Sequence, residues 1–119
     1  MSYFTYLGND DNEAVGATIT PSTADADYPI SNLTALPISK PFRFTGDTSE
    51  NILFDLLSAK SINLATIINH NLTAAATITL TAGTTSACGD YSVAIPYRQY
   101  DAFKFLGGTR TYRYWKMTF

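Results

Sequence analysis

Covalent or acid–base catalysis needs a nucleophile and a base that can meet, and this chain offers one nominal pair. It has a single cysteine, Cys88, and a single histidine, His70. Cys88 lies between Ala87 and Gly89 in a polar, turn-like stretch with no His–acid pair near it in sequence, so nothing there activates a thiol. His70 has no partner histidine, and a metal centre needs several ligands. It shares the parity of Ile62, Leu64 and Ile68, which reads as an inward histidine at a strand end, bonded to a loop carbonyl. Asp55 stands in mid-strand with no second acid at a spacing useful for general acid–base work. No catalytic residue and no metal ligand is assigned, and an enzyme is not expected.

Two acidic groups, Asp10, Asp11 and Glu13, and Asp25 with Asp27, offer the clustered oxygens that Ca²⁺ prefers. Neither matches an EF-hand loop, so they read as solvated loop acids, and no cofactor is assigned. The aromatic–arginine mixtures are richer. Tyr97, Arg98 and Tyr100, then Tyr112 and Arg113 beside Tyr114, have the composition of surfaces that stack sugars or fill protein interfaces. Phe42 and Arg43 add a third group at a loop end. Phe42, Arg43, Tyr97, Arg98, Tyr100, Tyr112 and Arg113 are therefore the candidate binding residues. Strand alternation requires that half of each set point into the core.

The elements that must position them centre on residues 50–82. Ile78, Leu80 and Ala82 alternate with Thr77, Thr79 and Thr81, the period of a strand with one buried face. Before it, Asn51–Leu57 puts Ile52, Phe54 and Leu56 on one face. Ser61–Ile68 puts Ile62, Leu64 and Ile68 on one face and Asn63, Ala65 and Ile67 on the other. The break at Asn69-His-Asn71 reads as a turn. Shorter strands are expected at Ala17–Thr20, Phe42–Phe44, Tyr91–Ile95 and Ala102–Leu106, with Gly107-Gly108 as a turn before a last strand, Thr111–Phe119. Trp115 falls on the face of Met117. Pro29 and Pro37 leave room for one helical turn at most between them. About eight strands at roughly ten-residue spacing, with little helix, predict an all-β antiparallel sandwich or barrel.

Composition sets outer limits. The chain has 119 residues, enough for one cored domain. Apolar residues make up 45 % and charged ones 15 %, which speaks for a folded chain. Seventeen threonines and eight tyrosines favour strands. A net charge of −2 argues against a dedicated nucleic-acid binder. No signal peptide and no apolar run long enough for a membrane helix are seen. Charge is uneven: the first 27 residues hold five acids and no base, whereas Arg98, Lys104, Arg110, Arg113 and Lys116 follow Tyr97 with Asp101 alone. Residues 1–16 read as an apolar arm, Tyr3, Phe4, Tyr6 and Leu7, on an acidic Gly8–Asn12 tether, ahead of a domain at 17–119. Two courses are open to the arm. It docks on another subunit, or it folds back as an extra edge strand.

The order of these pieces resembles a discoidin-like domain of the galactose-binding-like jelly rolls. The features are Tyr28-Pro-Ile-Ser-Asn-Leu33, Phe44-Thr-Gly46, Ile52-Leu-Phe-Asp-Leu56, the Asn69-His-Asn71 turn and Arg113-Tyr-Trp115. The wording is most similar to the small discoidin-like modules of tailed-phage virion proteins. The resemblance covers roughly residues 17–119. It departs at Ala82-Gly-Thr-Thr-Ser86, where the family carries an Asp-Gly pair, and at Phe44, where it carries tryptophan. It implies a jelly-roll fold and structural roles for Asp55, His70 and Trp115, with Asp55 bonding a loop or an arginine. It also implies a structural Ca²⁺, which related domains often carry. It places the chain in a virion, made in the host cytoplasm, with other virion proteins or copies of itself as partners and no nucleic acid or membrane. The expected function is then a non-catalytic structural or interaction module of a phage particle. The alternative is a carbohydrate-binding module for a host-surface glycan.

Overall fold

The computed structural model describes residues 4–34, 41–46, 49–68 and 70–119. Six strands account for nearly all of the regular structure: β1 (Phe4–Gly8), β2 (Thr18–Pro21), β3 (Asn51–Ile68), β4 (Ile78–Gly83), β5 (Tyr91–Ile95) and β6 (Ala102–Thr118). A 3₁₀ turn, Ile30–Leu33, follows Pro29. All strand pairs are antiparallel. The fold is all-β, as the alternating Thr-rich segments predict, but among the described residues it has six strands rather than eight. The difference lies in β3 and β6. Each joins two segments that the sequence presents as separate.

β3 and β6 pair along most of their length, and two register shifts bend the pair. At the first, β3 passes from Asp55 to Lys60 while β6 passes only from Tyr114 to Tyr112. Leu57 sits in this bulge at φ +68°, and its N–H donates to Asp55 Oδ1 at 2.9 Å. At the second, β6 passes from Phe105 to Arg110 while β3 passes only from Leu64 to Ile62. Gly107 (φ +72°) and Gly108 (φ +142°) take up that slack, conformations that cost a glycine little. The glycines are thus a bulge within β6, not a turn between strands. Bulges of this kind strengthen twist and turn a strand from one layer to the next.

The bend divides the strands into two layers. The first half of β3 pairs with β2 and with the end of β6, which pairs in turn with β4 and then β5. The second half of β3 lies between β1 and the start of β6. Their inward side chains form one core: Ile52, Phe54, Leu80, Trp115 and Met117 from the first layer, Leu7, Ile62, Ala65, Ile67 and Ala102 from the second. Ile78, Leu56 and Phe42 join it. The second shift also corrects the expected burial of Leu64. Ile62 points inward, but past the shift the inward parity passes to Ala65 and Ile67, and Leu64 and Ile68 turn outward, half-buried. A slip in register exchanges the two faces of a strand.

Residues 4–16 take the intrachain course. β1 pairs with β3, and Leu7 is fully buried in the domain's own core. Gly8–Asn12 is not a loose tether. The Asn12 amide oxygen accepts the N–H groups of Leu7 and Ala14, both at 3.1 Å, and its nitrogen donates to the Thr5 carbonyl at 2.9 Å. Such side-chain mimicry of backbone partners is how asparagine closes turns. Phe42–Phe44 does not form a strand. Phe42 makes an isolated bridge only.

Candidate functional site

The outward parity of the second layer puts apolar side chains on its solvent face. Leu64 stands opposite Phe105 and Thr66 opposite Phe103 on neighbouring strands. Together with Ile68, and with Asp101 and Ala102 at the start of β6, they line an open groove of about 310 Å³. The lining is almost wholly apolar. Phe103 and Phe105 meet edge to face with ring centroids 5.9 Å apart. Phe105 is 64 % exposed, an unusual degree for a phenylalanine in mid-strand. The Arg98 guanidinium sits over the Phe103 ring at 4.8 Å, and Asp101 is among the residues that line the groove. The arrangement is an aromatic floor with one cation and one carboxylate at its margin. A pyranose ring fits such chemistry: its C–H face packs on the negative face of an aromatic ring, and its hydroxyls take charged hydrogen bonds at the rim.

The structure brings only part of the sequence-derived set to this place. Arg98 is there, and Tyr100 is exposed next to Asp101. Tyr97 is half-buried behind them, its O–H donating to the Leu72 carbonyl at 3.2 Å. Phe42 is 1 % exposed and packs edge to face on Phe44, so it presents no surface to a ligand. Its ring takes the inward side of its segment, which leaves Arg43 outside. Arg43 lies over the Tyr28 ring at 4.3 Å and 4.0 Å from the Asp25 carboxylate, in a separate cluster. Tyr112 stacks on Tyr91, with Arg110 over Tyr91. Arg113 donates twice to Asp55, Nε to Oδ1 at 2.8 Å and Nη2 to Oδ2 at 3.0 Å. Trp115 is fully buried and donates from Nε1 to the Tyr112 carbonyl. Phe103 and Phe105 were not singled out from the sequence. The signal was present in their parity, opposite to the buried Ala102 and Leu106.

Another polar cluster also escaped the sequence reading. Glu50 is 7 % exposed and accepts hydrogen bonds from the hydroxyls of Ser22 and Thr23. A methyl group on Gly46 would overlap its carboxylate. This satisfied buried acid ties two loops to the start of β3.

Neither nominal catalytic residue is activated. Burial pushes the Cys88 thiol above its usual range. Burial also pushes His70 below the usual imidazole value, against the raising effects of the Arg98 backbone and Asp101. Its Nδ1 accepts the Leu72 N–H at 3.1 Å, which places the ring proton on Nε2. Asp55 is held below the ordinary carboxylate range by its Arg113 hydrogen bond first and the Leu57 N–H second. Among the described residues no group of His, Cys, Asp or Glu side chains could hold a metal ion. No described helix is long and apolar enough to cross a membrane.

These shifts predict an acid-sensitive fold. A group whose folded pKa is depressed contributes stability that is complete above its unfolded value and lost as pH falls through the folded one. For His70 the loss begins near the ordinary imidazole value of 6.5, and for Asp55 near the ordinary carboxylate value of 3.8. The melting temperature should therefore fall as pH is lowered from about 7 to about 5, and His70→Asn should flatten that part of the curve. An equal slope in the variant would remove His70 as the cause.

No family model matches the sequence, and no curated protein is found similar to it. Solved structures do match the fold. Chitosan-binding module 1 from a chitosanase/glucanase of Paenibacillus sp. IK-5 aligns with a TM-score of 0.66 and 19 % identity, over 91 % of this chain and 85 % of that one. A selenomethionine-labelled point mutant of the same module aligns at 0.63 and 17 %, over 89 % and 83 %. At this identity the likeness is one of fold. Neither structure concerns a phage particle.

Proposed function

We propose that the chain is a non-catalytic carbohydrate-binding module, with its glycan held in the groove of Phe103 and Phe105. The observation that carries this reading is the solvent-facing aromatic floor with Arg98 and Asp101 at its margin. A fold maintained for stability alone has no use for a phenylalanine 64 % exposed beside a second one. The likeness to modules described as chitosan-binding supports the same reading. This exchanges the order of the two functions expected from the sequence. The phage-particle role rested on the family resemblance, and the structural likeness supports the glycan-binding alternative instead. The resemblance to phage modules concerns a different question, where such a domain is carried. A particle-borne module that presents the groove to a host-surface glycan satisfies both.

The test is affinity electrophoresis of the purified domain through gels containing chitosan, a neutral β-glucan or a bacterial surface polysaccharide. Retardation by at least one of them is expected. Unretarded migration in every gel would contradict the proposal.

A further inference from the structure

Two costly features of the molecule are bonded to each other beside the groove. Tyr100 has φ +72°. That left-handed conformation is uncommon for an aromatic residue and persists only where the surroundings impose it. The ring of Tyr100 is not what imposes it, since the residue is 62 % exposed. Its carbonyl accepts the His70 N–H at 2.8 Å. His70 is itself 5 % exposed, and its Nε2 is buried beside the Arg98 backbone without completing a hydrogen bond. The Nδ1 bond to Leu72 N–H and the Tyr97 bond to the Leu72 carbonyl fasten the 70–72 turn to the 97–101 loop. The imidazole and the Tyr97 ring lie 5.8 Å apart.

Glycine at position 100 would adopt the same backbone without strain. The chain places a large aromatic there instead, and leaves it in water. The other strained non-glycine residues lie away from the groove, although Leu57 is likewise exposed. Leu57 lies in the β3 bulge, held by Asp55, and Cys88 is buried. The loop that carries Tyr100 also supplies Arg98 and Asp101 to the groove. Strain at an exposed aromatic beside a binding groove is the pattern of a site feature.

We propose that Tyr100 is a ligand-contacting residue of the groove, and that His70 is the positioning residue that fixes its loop. This inference rests on the carbohydrate-binding reading and narrows its ligand. From Asp101 to Phe105 the strand rises about 13 Å, longer than one pyranose ring. With Tyr100 at the Asp101 end, the groove addresses several units of a glycan chain rather than a single sugar.

The experiment titrates a soluble glucosamine tetramer into the wild type, Tyr100→Gly, Tyr100→Phe, His70→Ala, His70→Asn and Phe105→Ala, with a thermal melt of each. Tyr100→Gly is expected to melt at an unchanged or higher temperature and to bind about tenfold more weakly, the scale of one aromatic contact. Tyr100→Phe should bind nearly as well as the wild type. His70→Ala should also weaken binding, and His70→Asn, which keeps an acceptor for the Leu72 N–H, should recover most of it. Wild-type affinity in Tyr100→Gly, with binding lost in Phe105→Ala, would overturn this inference and leave the groove standing. A wild type that does not bind the tetramer would overturn this inference alone, and a Phe105→Ala variant that binds it fully would overturn both.

Discussion

Phe54→Ala is expected to destabilise the domain by about 3–5 kcal/mol in urea unfolding, the range for emptying a fully buried aromatic site. Phe54 has no exposure and lies in β3 between Ile19 of β2 and Trp115 of β6. It sits just before the bulge where the long strands pass from one layer to the other. Well-paired strands on both sides leave little freedom to close the cavity. Since small domains are stable by only about 5–15 kcal/mol, the variant should lose a large part of its folding free energy. A cost below about 1 kcal/mol, typical of surface changes, would mean that the register of β3 is wrong.

The second large effect is on binding. Replacing Phe103 and Phe105 together by alanine is expected to weaken glycan binding by about a hundredfold. Covering an aromatic side chain is worth roughly 1.5–3 kcal/mol, and about 1.4 kcal/mol is a factor of ten. The accompanying loss of stability should be small, because Phe105 is largely exposed and Phe103 half-buried. Affinity electrophoresis and a thermal melt on the same sample separate the two effects. A folded double variant with undiminished retardation would remove the aromatic floor from the account.

The core was legible where the alternation was uninterrupted. Ile52, Phe54 and Leu56, then Ile78 and Leu80, then Trp115 and Met117, are buried as their parity requires. Legibility ended at the bulges. Nothing local shows that residues 51–68 are one strand, or that inward parity changes between Ile62 and Ala65, because the register shift is set by the partner strand. Leu64 was misplaced for that reason. Phe103 and Phe105 are a different case: their parity, opposite to Ala102 and Leu106, marks them as outward, but only the fold shows that they meet Leu64 and Thr66 across the strands. Gly107-Gly108 carries the same dipeptide signal whether it turns a chain or bulges a strand. The role of Asn12 was hidden in an acidic, polar run that reads equally as a tether. The resemblance implied a loop or an arginine as the partner of Asp55, but that the arginine is Arg113, read from the sequence as a binding residue, appears only in the fold.

Amide chemical-shift mapping locates the bound glycan on the fold. A glucosamine tetramer is titrated into isotope-labelled domain, and the shifted residues are placed on the fold. Perturbations are expected to concentrate at 64–68 and 98–105, the groove and its loop. Perturbations concentrated instead at Asp25, Tyr28 and Arg43 would contradict that placement and move the site to that loop cluster.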